Sequence, residues 1–235
     1  ILVKQSTGER AVFFERSTAT EPEFLDTHKQ LIESTYILHI NGRHRQLMRS
    51  AMAVAKEVGT IISLDGGAQR YDEDMKPITE ASHIVIVARD YAEKYTGTTN
   101  LEDACRIIHE RGACIAGVTD GANGSYFVWP DGTSYRCEPF TQATVVDTTG
   151  AGDSFHGAFL ANLVHTINHM MGQDATSTTK HDRASIHAVE LLKACAHSDL
   201  EKAAIFASAV ASLNTQGIGG RSPLPTLKSV QELIG

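Results

Sequence analysis

Several features are scarce or missing in this chain of 235 residues. Cysteine occurs only at Cys105, Cys114, Cys137 and Cys195, with no C-x-x-C spacing. That pattern argues against a disulfide framework or a zinc site and for free thiols in a reducing compartment. No long uncharged apolar run is present, so nothing reads as a membrane span. Lysine and arginine form only short scattered pairs in a chain of net charge −7, which excludes a broad nucleic-acid surface while leaving room for an anion at one cleft. The opening "ILVKQSTGER" lacks the charged start, apolar stretch and small-residue cleavage site of a secretory signal. The chain reads as a soluble cytoplasmic protein of one large domain, with no internal repeat.

Apolar residues make up 42% of the chain, enough for a substantial core. "ILV", the turn-like "TGER" and "AVFFE" read as a hairpin that begins inside a folded element, so the natural start is expected upstream. Strand and helix patterns then alternate. "YILHI" (36–40) is a strand, and 45–58 is a helix with Leu47, Ala51, Val54 and Val58 at helical spacing, stopped by Gly59. "TIISLDGG" and "HIVIV" are strands too continuously apolar for a one-sided surface position. "LEDACRIIHERG" is a helix, "CIAGV" a fourth buried strand, and "SYFVWPDGTSYRCE" a hairpin turning at Asp131–Gly132. Phe155, Phe159, Leu163 and Ile167 mark the buried stripe of a long helix. Segment 169–182 reads as a loop, "RASIHAVELLKACA" and "DLEKAAIFASAVASLN" as helices, and "TQGIGGRSPLP" as irregular. The sum is an α/β layered fold with a largely parallel sheet.

The chemistry concentrates in "VVDTTGAGDSFHGAF" (145–159). A strand-like "TVV" ends at Asp147, and a helix begins near Gly152 or Asp153, so Gly150, Ala151 and Gly152 form a helix N-terminus. Unpaired amides, the helix dipole and small side chains make such a terminus an anion cradle. Asp153 is ill suited to hold a phosphate but well placed as a base for a hydroxyl attacking one. The alternative for an isolated G-x-G-D is a tight turn with a capping aspartate. "TDGANGS" (119–125) is a second glycine-rich turn after a buried strand, fit to wrap nucleotide phosphates or to serve as a plain hairpin turn. No G-x-x-x-x-G-K-[ST] occurs, which excludes a P-loop.

These residues resemble the ribokinase, or PfkB, carbohydrate kinases. The resemblance rests on "DTTGAGD" with "FHGAF", on "TDGANG" and on "GGRSPLP", and spans nearly the whole chain; "LHINGRH" and "VIVARDYAEKYTG" are similar to ketohexokinase and bacterial sugar-kinase segments. It implies a ribokinase-like α/β fold and ATP-dependent phosphorylation of a primary hydroxyl on a small sugar or related compound. Asp153 would be the base, and Gly150, Ala151 and Gly152 the anion hole. Thr119, Gly121 and Gly124 would line the nucleotide phosphates. Asp147 and Thr149, with Ser212, would hold a potassium-type cation, for which oxygen ligands suit.

The resemblance also carries departures. The family's N-x-x-E positions correspond to Ala88 and Tyr91, so Mg2+ would be handled through water and ATP oxygens. The family's N-terminal strands, lid and sugar-gripping residues have no counterpart, so residues 1–235 read as a single ribokinase-like domain lacking that portion. Arg43, after a strand end, is either a substrate ligand or an exposed arginine at a helix start. His165 and His169 read as a solvated helix face, His156 as local packing or hydrogen bonding, and "YFVW" as core. A catalytically silent, nucleotide-binding regulatory subunit is the alternative function. The expected partners are a sugar and ATP, without nucleic acid or membrane, and a homodimer is left open.

Overall fold

The computed structural model describes residues 2–3, 10–11, 18–141, 144–172 and 188–235. Strands β1 (Leu2–Val3) and β2 (Arg10–Ala11) pair antiparallel as a separate two-stranded ribbon. This pairing agrees with the hairpin expected there, of which 1, 4–9 and 12–17 lie outside the described residues.

The main sheet grows from alternating elements. Helix α1 (Asp26–Glu33) precedes β3 (Ile37–Ile40), and α2 (Arg45–Val58) precedes β4 (Ile61–Gly66). A short turn of 3₁₀ helix leads into α3 (Lys76–Glu80), followed by β5 (Ile84–Ala88), α4 (Arg89–Thr96), α5 (Leu101–Glu110) and β6 (Ile115–Thr119). The hairpin β7 (Ser125–Val128) and β8 (Ser134–Cys137) completes the sheet. Helices α6 (Ala151–Met170), α7 (Ala188–Ala194), α8 (His197–Asn214) and α9 (Leu227–Ile234) follow. The strand order is β3-β4-β5-β6-β7-β8, with β3 to β6 parallel and the last two antiparallel. This is the expected α/β fold with a largely parallel sheet.

Strands β5 and β6 are almost wholly apolar because helices cover both faces. Side chains alternate across β4: Ile62 and Leu64 join the core beneath α2, α4 and α5, while Ile61 joins the core beneath α6 and α8. Ser63 and Asp65 therefore share Ile61's face. On α6, Phe155, Phe159, Leu163 and Ile167 are all buried, as their spacing predicts. Phe127 stacks on Trp129 and Phe159, with centroids 4.9 and 5.7 Å apart. The "YFVW" segment is thus core, as read from the sequence.

Other expectations need adjustment. The "TVV" segment before Asp147 is not a strand: the amides of Val146 and Asp147 both donate to the Thr215 carbonyl (2.8 and 3.1 Å), and Val145 and Val146 are exposed. That backbone is spent on the end of α8 instead of a sheet neighbour. Helix α6 runs to Met170, further than the loop expected from 169; the rest of that loop and the start of "RASIH" lie outside the described residues. Helices α1, α3, α4 and α9 were not anticipated.

Replacing Phe159, which is wholly buried between helix and sheet, tests this packing. Phe159→Ala should lower unfolding stability by about 3–5 kcal/mol, whereas His165→Ala on the exposed face of α6 should change it by less than about 0.5 kcal/mol. Urea denaturation of both variants reads the difference.

Candidate functional site

Parallel α/β sheets place ligands at the carboxyl ends of their strands. At that end lie the loop 41–44 after β3, Asp65 and Gly66 closing β4, Ala88 closing β5 and Thr119 closing β6. A small cavity of about 40 Å³ bordered by Thr35, Tyr36 and Thr60 lies at the opposite end and offers no comparable chemistry.

The start of α6 is built by two loops locked together. Asp147 is buried; its Oδ1 accepts the Thr149 amide (2.8 Å) and its Oδ2 the Gly219 amide (2.9 Å). Gly150, the residue preceding the helix, has φ +79°, and a Cβ there would stand 2.5 Å from the Gly220 Cα. Both the left-handed backbone and the close approach require glycine. The Ser154 amide closes the first helical bond onto the Gly150 carbonyl (2.8 Å). Among the described residues the Gly152 and Asp153 amides find no acceptor and remain open to an external anion. Gly152 has open space where a Cβ would stand.

Asp153 is exposed and lines an open cleft of about 460 Å³ together with Ser154, Phe206, Val210, Gly220, Arg221 and Leu227. The sequence reading gave no role to Arg221, although it lies in the quoted "GGRSPLP". Beneath the loops, Asn214 is wholly buried; its Nδ2 donates to the Thr149 carbonyl (3.3 Å), while its Oδ1 has no partner among the described residues. Thr149 Oγ1 is likewise buried and without a partner among them. Asp147 and Thr149 are thus brought together with Asn214. Ser212 instead donates its hydroxyl to the Phe140 carbonyl (2.7 Å).

The second glycine-rich turn is also fixed in place. Thr119 Oγ1 lies 3.5 Å from the Val87 carbonyl, and Gly121 has φ +53° with open space around it. Gly124 has φ +87°, and a Cβ would meet the Cys137 carbonyl at 2.3 Å, so packing against β8 alone accounts for this glycine. Between them, Asp120 is gripped by Arg89, whose Nε donates at 2.6 Å and whose Nη2 donates to the second oxygen. The Arg89 hydrogen bond holds the Asp120 carboxyl below its usual range. Ala88 has no side-chain donor or acceptor. Tyr91 is wholly buried, its hydroxyl sharing a hydrogen bond with Thr79 Oγ1 (2.7 Å), and burial pushes the phenol up to about 12. Neither supplies an oxygen for a cation. No three His, Cys, Asp or Glu side chains gather into a metal-binding set among the described residues.

Four residues that the sequence reading missed or set aside meet at the carboxyl ends of β3 and β4. His156 is buried one turn beyond Asp153, and its Nε2 lies 3.2 Å from Asp65 Oδ1. Arg70 Nη1 lies 3.5 Å from Asp65 Oδ2 and donates to the Asn41 carbonyl (3.4 Å). His39 Nδ1 is 3.2 Å from Ser63 Oγ, and its ring centroid is 5.4 Å from that of His156. Arg43 is exposed in the same loop 41–44, where Gly42 has φ 78° and His44 φ 50°. The signal available in sequence was the polar residue ending an apolar strand, as in "IISLD".

An exposed carboxylate, Asp153, thus stands beside open amides at the start of α6, and His156 one turn on ties that helix to the carboxyl end of β4. The chain belongs to the pfkB family of carbohydrate kinases, whose profile matches residues 1–227. It is 25% identical over 223 residues to the bifunctional ribokinase/ribose-5-phosphate isomerase A of Fructilactobacillus sanfranciscensis, covering 92% of this chain and 35% of that protein. It is 26% identical over 245 residues to probable fructokinase-5 of Arabidopsis thaliana, covering 97% of this chain and 67% of that protein. The solved structure of Arabidopsis thaliana ribokinase complexed with ribose and ATP shares the fold, with a TM-score of 0.64 at 22% identity, over 91% of this chain and 60% of that one. The chain therefore spans between about a third and two thirds of the length of these proteins.

The two glycines separate structural from chemical need. Gly150→Ala should cost about 1–3 kcal/mol from its positive φ, with more from the contact with Gly220. Gly152→Ala should leave stability unchanged or slightly higher, since alanine favours helix. Thermal melts of the two variants should differ by several degrees.

Proposed function

We propose that this chain carries the phosphoryl-transfer centre of an ATP-dependent sugar kinase, acting on a primary hydroxyl of a small sugar or related compound. The observation that carries the reading is the exposed Asp153 on a helix with two first-turn amides, at Gly152 and Asp153, that lack acceptors among the described residues. Gly150, Ala151 and Gly152 form the anion hole: fixed amide dipoles meet the charge that builds on the transferring phosphoryl group. Asp153 accepts the proton of the attacking hydroxyl and holds that oxygen in line. Thr119, Gly121 and Gly124 line the nucleotide phosphates, and Arg43 meets the acceptor from the loop after β3. Family membership supports this assignment, as does the ribose and ATP named for the Arabidopsis structure.

The orphaned Thr149 Oγ1 and Asn214 Oδ1 beside Asp147 fit a monovalent cation such as K+, an ion held by oxygen. Asp147 and Thr149 would hold it, with Asn214 a better candidate than Ser212 for the second loop. Such an ion would supply positive charge close to the loop that leads into α6. No comparable carboxylate set is described for Mg2+, which would arrive with ATP and keep water as ligands. The protein's own groups fix the loop: Asp147 ties Thr149 to Gly219, and Gly150 packs on Gly220.

The buried Tyr91, in place of a carboxylate, keeps a second reading open, that of a nucleotide-binding regulatory relative without turnover. Turnover by the wild-type protein distinguishes the two. With a panel of ribose, fructose, sugar acids and nucleosides in a coupled kinase assay, Asp153→Asn should lower turnover by at least about a hundred-fold. ADP affinity by calorimetry should stay within about three-fold, since the amides of the cradle are retained. A variant as fast as wild type removes Asp153 from the role. K+ should raise activity or nucleotide affinity over Na+ at matched ionic strength, and equal titration curves count against the cation site.

A further inference from the structure

Asp65 joins two parts of the site that lie far apart in sequence. It is the next-to-last residue of β4, on the face that meets α6. One carboxylate oxygen takes His156 Nε2 at 3.2 Å and the other faces Arg70 Nη1 at 3.5 Å. The His156 and Asp65 side chains are only 5% and 10% exposed, whereas Arg70 is 31% exposed. Arg70 continues the chain of contacts to the Asn41 carbonyl, at the start of the loop that carries Arg43. On α6, Asp153 and His156 are three residues apart, so they lie on neighbouring faces one turn from each other.

The charges around this carboxylate explain why it stays ionised in a buried place. Burial alone would raise its pKa; the His156 hydrogen bond and the charges of His156, Arg70 and His39 outweigh that and hold it below the usual range. His39 shifts the other way: burial and the neighbouring His156 lower its pKa against the pull of Asp65 and Asp153. An ion pair in the interior is a weak source of net stability and is better suited to fixing one arrangement among several. Here the arrangement it fixes is the start of the base-bearing helix against the loop after β3.

We propose that Asp65 is a positioning residue, holding Asp153 in register with the acceptor-side loop 41–44 by binding His156 on one oxygen and Arg70 on the other. This rests on the assignment of Asp153 as the base of a kinase. Misplacement by about an ångström can cost on the order of a hundred-fold in rate, so such a link has leverage without touching the substrate.

The test uses a pair of buried replacements with similar size and different bonding. His156→Leu cannot donate to Asp65; His156→Gln places an amide donor near the position of the imidazole Nε2. In the full protein, His156→Leu should lower kcat/KM for the acceptor by at least about ten-fold and speed hydrogen exchange at the Ser154 to Phe159 amides, with exchange in β5 and β6 unchanged and ADP affinity within about three-fold. His156→Gln should keep at least about a third of the activity and the slow exchange. The proposal is overturned if the leucine variant matches wild type in both measurements, or if the glutamine variant falls as far as the leucine one. Should His156→Leu fail to fold, Arg70→Met cuts the other contact at a partly exposed position: the acceptor KM should rise at least about five-fold with kcat within about two-fold, and an unchanged KM overturns the proposal. A wild-type protein that phosphorylates no acceptor, yet shows the exchange difference between the two His156 variants, refutes the kinase assignment and leaves the helix-fixing role standing.

Discussion

The contact between Gly150 and Gly220 governs the geometry of this protein's site. Two backbones meet where a single added carbon would stand 2.5 Å from a Cα atom, and the chain can only enter α6 through a left-handed residue. Asp147 makes the contact permanent, because its two oxygens bind an amide from each loop. Once that entry angle is set, the helix register follows. Phe155, Phe159, Leu163 and Ile167 turn onto the sheet, Asp153 turns out to the cleft, and His156 turns toward β4. A side chain on Gly150 would shift the start of α6, and with it Asp153 and the core stripe together.

Much of this was legible in the sequence, for a definite reason. Parallel strands buried on both faces must be apolar throughout, so the four strands and the helices α2, α5, α6 and α8 announced themselves by run length and period. The "DTTGAGD" segment was legible because its requirements are local: small residues for close approach, and an acid in the first turn. Helix α4 was not seen as a helix because its eight residues, "RDYAEKYT", are mostly polar and its buried Tyr91 and Tyr95 are packed by tertiary partners, including Tyr71. The "TVV" strand failed because β-propensity expresses a fit to a sheet neighbour, and the neighbour here is the end of α8.

The cluster at the ends of β3 and β4 shows the limit more sharply. Asp65 looked like the polar end of a strand, and His156 like a residue concerned with local packing. Neither residue's surroundings in sequence indicate the other. Only the parallel order of β3 and β4, with α6 laid across them, brings the pair to hydrogen-bonding distance. Ser212 illustrates the converse. A position near the right loop by sequence is not enough, since two residues along α8 decide whether a side chain faces Phe140 or the loop of Asp147, and Asn214 is the residue that faces the latter.

The site is therefore an assembly of loops, each fixed by a different polar link to a common sheet. Arg89 holds the glycine-rich turn through Asp120, Asp147 joins the two loops at α6, and Arg70 reaches from Asp65 to the loop after β3. Loops carrying function need such links, because their backbones are not held by ladder hydrogen bonds and would otherwise sample several arrangements. Charged links suit this role, since each is strong only in a narrow geometry and contributes little when it is loose. The sheet supplies rigidity through two apolar cores on its faces, and the polar links transmit that rigidity to the residues that must meet in one reacting geometry.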